Sequence, residues 1–373
     1  MVKSRKPVLG GRETVKVAIP QISSVFLDRD ASIDRATAAI REAGRNGADL
    51  VVFSEVWLTG YPYWTEGWDS DLKKWVGGRV AFRDAAVLVP SEDTERLGAA
   101  ARQAGVYLVM GCNEIDPRRE SDTIYNTLLF FGRDGTLLGR HRKLMPTFCE
   151  RQFWGMGDGH DIRVFETDIG RIGGLICGEN AMTLARAAMI AEGEEIHIAV
   201  YPGSFAIHTG PRLEELDTEG AFWGNGAARA HAFEAGAFVI SSCGYFDIAD
   251  VPDDFAQKSA MYVDWAGGGS SVMAPVGIPL VPPTFGPQTI YATLEAWMIK
   301  ALRSIVDTNG HYARPDVFKL LIRQDDWREA GSRGKRIPAA LADRLKRAAE
   351  ANDVDEAIVL DTAGRLAAAE AAE

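Results

Sequence analysis

A chain of 373 residues that is 46% apolar and 25% charged has an ordinary globular composition and can bury a sizeable core. Its 41 basic and 52 acidic side chains leave a formal charge of −11, with no lysine- or arginine-rich run, which argues against general nucleic-acid binding. No apolar stretch follows the basic start Met1-Val-Lys-Ser-Arg-Lys-Pro7 and none approaches the length of a membrane span, so a cytoplasmic protein without membrane or nucleic-acid partners is expected.

Strand and helix signals alternate along the chain. Val15–Ile19 reads as a strand, Asp30–Gly47 as an amphipathic helix, and Leu50–Phe53 as a buried strand ending at Ser54-Glu55. A helix around Thr94–Ala104 leads into the strand Val106–Met110. Asn126–Phe131 and Thr136–His141 form a hairpin about Gly132-Arg-Asp-Gly135. Ile162–Phe165 and Ile172–Ile176 flank a turn, followed by a helix over 181–192 and the strand Ile196–Tyr201. Ala221–Ala235 is a helix, and Phe238–Ser242, Ser270–Pro275 and Thr289–Thr293 are strands. Hairpins interspersed with βα units imply an α/β fold with mixed sheets. One domain over 1–325 is expected. The Ala/Arg/Glu-rich tail 326–373 reads as an exposed helix or an oligomer contact.

Four scattered cysteines (112, 149, 177 and 243) do not make a disulfide framework. They lack metal-ligand spacing, and the six histidines form no H-x-x-x-H pair, so no metal or other cofactor is expected. Most free cysteines are small buried apolar residues. Cys177 differs in position: it ends the run Arg171-Ile-Gly-Gly-Leu-Ile-Cys177 where a strand gives way to a helix, a corner that presents the thiol and favours the thiolate. Cys149 competes for the same role but lacks that setting, and Cys112 and Cys243 end apolar runs.

Singly, Glu55 reads as a loop acid, Lys143 as the basic edge of a hairpin and Glu150 as a surface acid. Together with Cys177 they supply a nucleophile, a base, a cation for developing charge and a supporting carboxylate. His141, His231 and His311 leave a Cys-His arrangement open. Aromatics gather after Glu55 (Trp57, Tyr61, Tyr63, Trp64, Trp68) and at Phe153-Trp154; they line an apolar pocket or pack loop against core.

The combination resembles the nitrilase superfamily of carbon–nitrogen hydrolases over roughly Val15 to Leu320. The resemblance is carried by Leu50-Val-Val-Phe-Ser-Glu55 with Gly60-Tyr-Pro-Tyr-Trp64, His141-Arg-Lys-Leu-Met-Pro-Thr147, Glu150-Arg-Gln-Phe-Trp154, Cys177-Gly-Glu-Asn180 and Gly310-His-Tyr-Ala-Arg-Pro-Asp316. It implies a four-layer α-β-β-α sandwich that pairs into a homodimer and often extends to spiral oligomers. It also implies Glu55 as general base, Lys143 as stabilising cation, Glu150 as the supporting acid and Cys177 as nucleophile. Tyr61, Trp154 and Gly178 are expected at the substrate pocket, with the Gly178 N–H a donor to developing charge. The expected activity is hydrolysis of a small organic nitrile by water, without cofactor, to acid and ammonia; the alternative is an aliphatic amidase using the same residues. Two positions depart from the pattern: Gly178 stands where Trp is frequent, and Ser54 where Pro often precedes the glutamate.

Overall fold

The computed structural model describes residues 7–65, 71–203, 223–264 and 266–323, together with Lys346, Arg347 and Glu350. The chain divides into two units, Met1–Ile322 and Arg323–Glu373. The expected tail falls in the second unit and, those three residues apart, lies outside the described residues, as does Trp68.

In the first unit, β1 (Thr14–Gln21) leads to α1 (Arg29–Arg45), where the Asp28 carboxylate caps the Ala31 N–H. Ile33, Ala36, Ile40 and Ala43 recur at helical spacing and form the buried stripe of α1. Next come β2 (Leu50–Val52), α2 (Leu72–Asp84), β3 (Val87–Leu88), α3 (Glu92–Ala104), β4 (Tyr107–Ile115), β5 (Ile124–Phe131) and β6 (Leu137–Arg142). With β13 (Gln288–Glu295) the strands form one sheet in the order β13-β1-β2-β4-β5-β6, and β3 pairs alongside β4. The second sheet runs β12-β11-β10-β9-β8-β7, from β7 (Phe165–Thr167), β8 (Gly170–Ile176), β9 (Ile196–Tyr201), β10 (Phe238–Cys243), β11 (Gly268–Met273) and β12 (Pro279–Phe285). β8, β9 and β10 are parallel with antiparallel strands outside them, and β1, β2 and β4 are parallel between antiparallel β13 and β5, so both sheets are mixed.

The strand period of two decides the layers. Val51, Phe53, Leu108 and Met110 face α1 and α3, whereas Leu50, Val52 and Val109 meet Ile176, Ile198 and Val200 of the second sheet. On the far side, α4 (Thr183–Ala191) lays Ala185 and Met189 on Leu175, and α5 (Trp223–Ala235) contributes Ala228 and Ala232. The result is an α-β-β-α sandwich, as expected.

Four elements are absent from the sequence reading, the two-residue strand β3 among them. The helix α2 leaves Leu72, Val76 and Val80 exposed and carries Gly77-Gly78, which blurs its pattern. The strand β12 holds Pro279, Pro282 and Pro283, which its edge position tolerates. The short helix α6 (Ala296–Ile305) follows β13 directly. Among the described residues no helix is long and apolar enough to cross a membrane.

Candidate active site

Four chain segments converge where strands end. Glu55 lies in the turn after β2, Lys143 follows β6, Cys177 follows β8, and Glu150 sits in a short 3-10 turn over Phe148–Gln152. β2 runs parallel to β4, and β6 lies two antiparallel steps away, so Glu55 and Lys143 emerge at the same end of the sheet. Gly111 on β4 allows this closeness, because a Cβ there would run into the Ser54 carbonyl.

The Lys143 ammonium donates to Glu55 Oε1 at 2.9 Å and to Glu150 Oε2 at 2.6 Å, and all three side chains are buried. Asn126 Nδ2 donates to the same Glu55 oxygen at 2.6 Å, while Glu55 Oε2 has no partner among the described residues. Tyr61 OH donates to Glu150 Oε1 at 2.9 Å, and the Thr147 N–H to Glu150 Oε2 at 2.6 Å. Carboxylate oxygens of Glu55 and Glu150 and the Cys177 sulfur lie within 4.8 Å of one another. This triad has the composition of a metal site, yet the cation between its carboxylates is Lys143 itself.

Burial dominates the electrostatics. It raises the Glu55 carboxyl to about 7 despite the adjacent Lys143. Burial opposes the charge on Lys143, but Glu55, Cys177 and Glu150 outweigh it and raise its pKa. The Cys177 thiol is pushed well above its ordinary range by burial, with Lys143 and the Gly178 N–H working in the opposite direction. The resting thiolate expected from a helix N-terminus is therefore not found. A 3-10 turn over Cys177–Ala181 intervenes, α4 starts only at Thr183, and burial is the largest influence on the thiol. The resting group is a thiol beside a carboxyl that titrates near neutrality, an arrangement suited to proton removal during attack.

The corner itself is strained: Cys177 has φ 52°, in the left-handed region that a non-glycine residue occupies at a cost of about 1–3 kcal/mol. Its neighbours hold it. Glu179 accepts from the Ile176 N–H at 2.7 Å and the Leu144 N–H at 2.6 Å, tying the corner to the lysine loop, and His141 Nε2 lies 2.8 Å from the same carboxylate. Burial opposes ionisation of Glu179, but His141 and these N–H groups lower its pKa. Asn180 Nδ2 donates to the Cys177 carbonyl at 3.0 Å. Gly178 is not itself in the left-handed region; its missing side chain leaves room for Thr147, whose Oγ1 lies 2.9 Å from where a Cβ would sit.

Tyr61 packs against Trp154 with ring centres 5.5 Å apart, and the Trp154 indole donates to Asn113 Oδ1 at 2.7 Å. Both belong to an aromatic cluster with Phe26, Tyr63, Trp64, Phe82 and Phe153. Trp57 lies elsewhere, in the helix–sheet core. The histidines are bonded away from the thiol: His141 to Glu179, His231 to Glu194, and exposed His311 to the Ile305 carbonyl. Cys112 and Cys243 are core residues, while Cys149 is partly exposed. Sequence reasoning missed Asn126 and Thr147. An amide opening the apolar run Asn126–Phe131 was the available signal for the first.

The sequence profile described as "Carbon-nitrogen hydrolase" matches residues 16–304. "Nitrilase 2" from an unknown prokaryotic organism is 36% identical over 315 residues, 84% of this chain and 93% of that one. "Bifunctional nitrilase/nitrile hydratase NIT4A" of Lupinus angustifolius is 37% identical over 326 residues, 83% of this chain and 86% of its own. In fold, the crystal structure of Saccharomyces cerevisiae Nit3, "a member of branch 10 of the nitrilase superfamily", superposes with a TM-score of 0.63 at 24% identity, covering 81% of this chain and 97% of that one. With its profile match, its relatives and its α-β-β-α sandwich in agreement, the chain belongs to the carbon–nitrogen hydrolase family.

Proposed function

We propose that this protein is a nitrilase that converts a small organic nitrile and two waters to a carboxylic acid and ammonia. The observation that carries the reading is the buried Lys143 ammonium bridging Glu55 and Glu150 beside the Cys177 thiol. Its similarity to relatives named nitrilases supports the choice of nitrile over other carbon–nitrogen substrates.

In this reading Glu55 removes the Cys177 proton as sulfur attacks the nitrile carbon, giving a covalent thioimidate, and Lys143 stabilises charge developing on nitrogen. Water activated by a glutamate adds, and the tetrahedral intermediate expels ammonia to leave a thioester. A second water releases the acid and restores the thiol. Glu150, fixed by Lys143, Tyr61 and Thr147, keeps the ammonium in place and assists water attack. The Gly178 N–H is a donor to developing charge, and Tyr61 and Trp154 border the pocket. Should the intermediate expel sulfur instead of ammonia, amide is released.

The test is a panel of matched nitriles and amides scored for acid, amide and ammonia, with Cys177→Ala as control. Acid and ammonia from nitriles, lost in the control, are expected; ammonia from amides alone would make the protein an amidase. We also propose that the protein self-associates, because its outer helical layer exposes Met182, Leu184 and Phe233. Light scattering of Leu184→Glu against the native chain reads this as a loss of mass per particle.

A further inference from the structure

A second buried cluster of titratable side chains takes no part in that reaction. Glu194 just before β9, His197 on β9 and His231 on α5 are fully buried, with ligating atoms within 4.8 Å of one another. Their spacing is that of hydrogen bonds, with one ring nitrogen on each carboxylate oxygen. His197 Nδ1 lies 2.8 Å from Glu194 Oε2, and His231 Nε2 is bonded to Glu194 Oε1. Burial opposes ionisation of Glu194, but the two imidazoles outweigh it and hold the carboxyl at about 2.

The far side of His197 leads to the nucleophile. Its Nε2 is 3.0 Å from Asn180 Oδ1, and the direction of that amide is fixed because Nδ2 donates to the carbonyls of Leu175 and Cys177. A single run of hydrogen bonds therefore passes from α5 through β9 to the carbonyl of the strained Cys177. Both neighbours of His197 are acceptors, so the ring satisfies both only when doubly protonated. Burial is the largest influence on its pKa and lowers it, with His231 and Arg186 acting the same way and Glu194 opposing. The other titratable and charged groups around it are His231 and, from α4, Arg186, which is paired with Glu234.

An apolar pair would fill this space without the cost of burying ionisable groups. A left-handed nucleophile corner, in contrast, persists only where its surroundings over-determine it. We propose that Glu194 and His197 are positioning residues: they hold Asn180, and through it the Cys177 carbonyl, so that the corner keeps the thiol against Glu55 and Lys143. The inference rests on Cys177 being the nucleophile.

The test uses His197→Phe, Glu194→Gln and Asn180→Ala in the full chain. Steady-state kinetics on a turned-over nitrile are paired with the rate of iodoacetamide alkylation at Cys177, read by peptide mass spectrometry. In each variant kcat is expected to fall about 10–100-fold with KM changed less than about twofold, because small misplacement of a reacting group has that effect. Cys177 alkylation slows in parallel. Adding His197→Phe to Asn180→Ala is expected to cost less than about threefold more, since both act through one run of bonds. Glu194→Gln removes a buried charge and keeps its shape, so it decides the matter if His197→Phe does not fold. A lower melting temperature with kcat and alkylation unchanged would make the cluster merely structural and overturn the proposal. Failure of the nucleophile assignment reads differently: Cys177→Ala would then retain turnover.

Discussion

Glu55→Gln separates what the carboxyl does for catalysis from what it costs the fold. In the folded protein burial holds Glu55 at about 7, while an unfolded glutamate titrates near 4.5. Between those values the folded state keeps a proton that the unfolded chain has lost, so native stability falls as pH rises through the window. The loss is about 1.4 kcal/mol per pH unit, or about 3 kcal/mol in all once pH exceeds the folded value. Glutamine carries no charge and does not share this slope. A glutamine amide oxygen can accept from Lys143, which stays protonated throughout, so exchanging a neutral carboxyl for an amide sets only a constant offset. The variant's stability relative to the native chain is thus expected to improve by about 3 kcal/mol between pH 4.5 and 8.5, as nitrile turnover falls by about 10²–10⁴-fold. Urea unfolding of both proteins at four pH values reads the first quantity. A difference that stays flat with pH, or moves in the native chain's favour, would refute a buried base raised towards neutrality.

The same group sets the pH dependence of activity: kcat/KM is expected to rise through about pH 7 as Glu55 loses its proton, and a profile flat down to pH 5 would contradict it. Lys143→Ala leaves two buried carboxylates without their shared cation; a loss of about 3–5 kcal/mol in unfolding free energy is expected along with activity, and an unchanged melting temperature would argue against the bridge. Tyr61→Phe removes one of several bonds to Glu150 and should lower kcat about tenfold with little change in KM; a change confined to KM would assign Tyr61 to substrate binding alone.

Much of this was legible because the deciding patterns are local. The apolar runs Leu50–Phe53, Ile172–Ile176 and Ile196–Tyr201 sit next to their turns in sequence, so strand ends, and with them Glu55 and Cys177, could be located. That Lys143 and Glu150 meet Glu55 was implied only by family resemblance, since their approach depends on how β6 pairs back through β5 to β4. Desolvation could not be read at all. The expected thiolate gave way to a buried thiol because the second sheet, Tyr201 and the turn before α4 remove water from Cys177. Asn126 and His197 are polar residues inside buried strands, a visible anomaly whose partners only the folded chain supplies. Prolines hid β12, and a half-exposed stripe broken by two glycines hid α2.

The most direct measurement is rapid-quench mass spectrometry of the native chain during turnover of a nitrile. The expected result is a mass increase matching the thioimidate or thioester on the peptide that carries Cys177, absent in Cys177→Ala and unaffected by Cys149→Ala. A covalent species on Cys149, or turnover undiminished in Cys177→Ala, would contradict the assignment of the nucleophile.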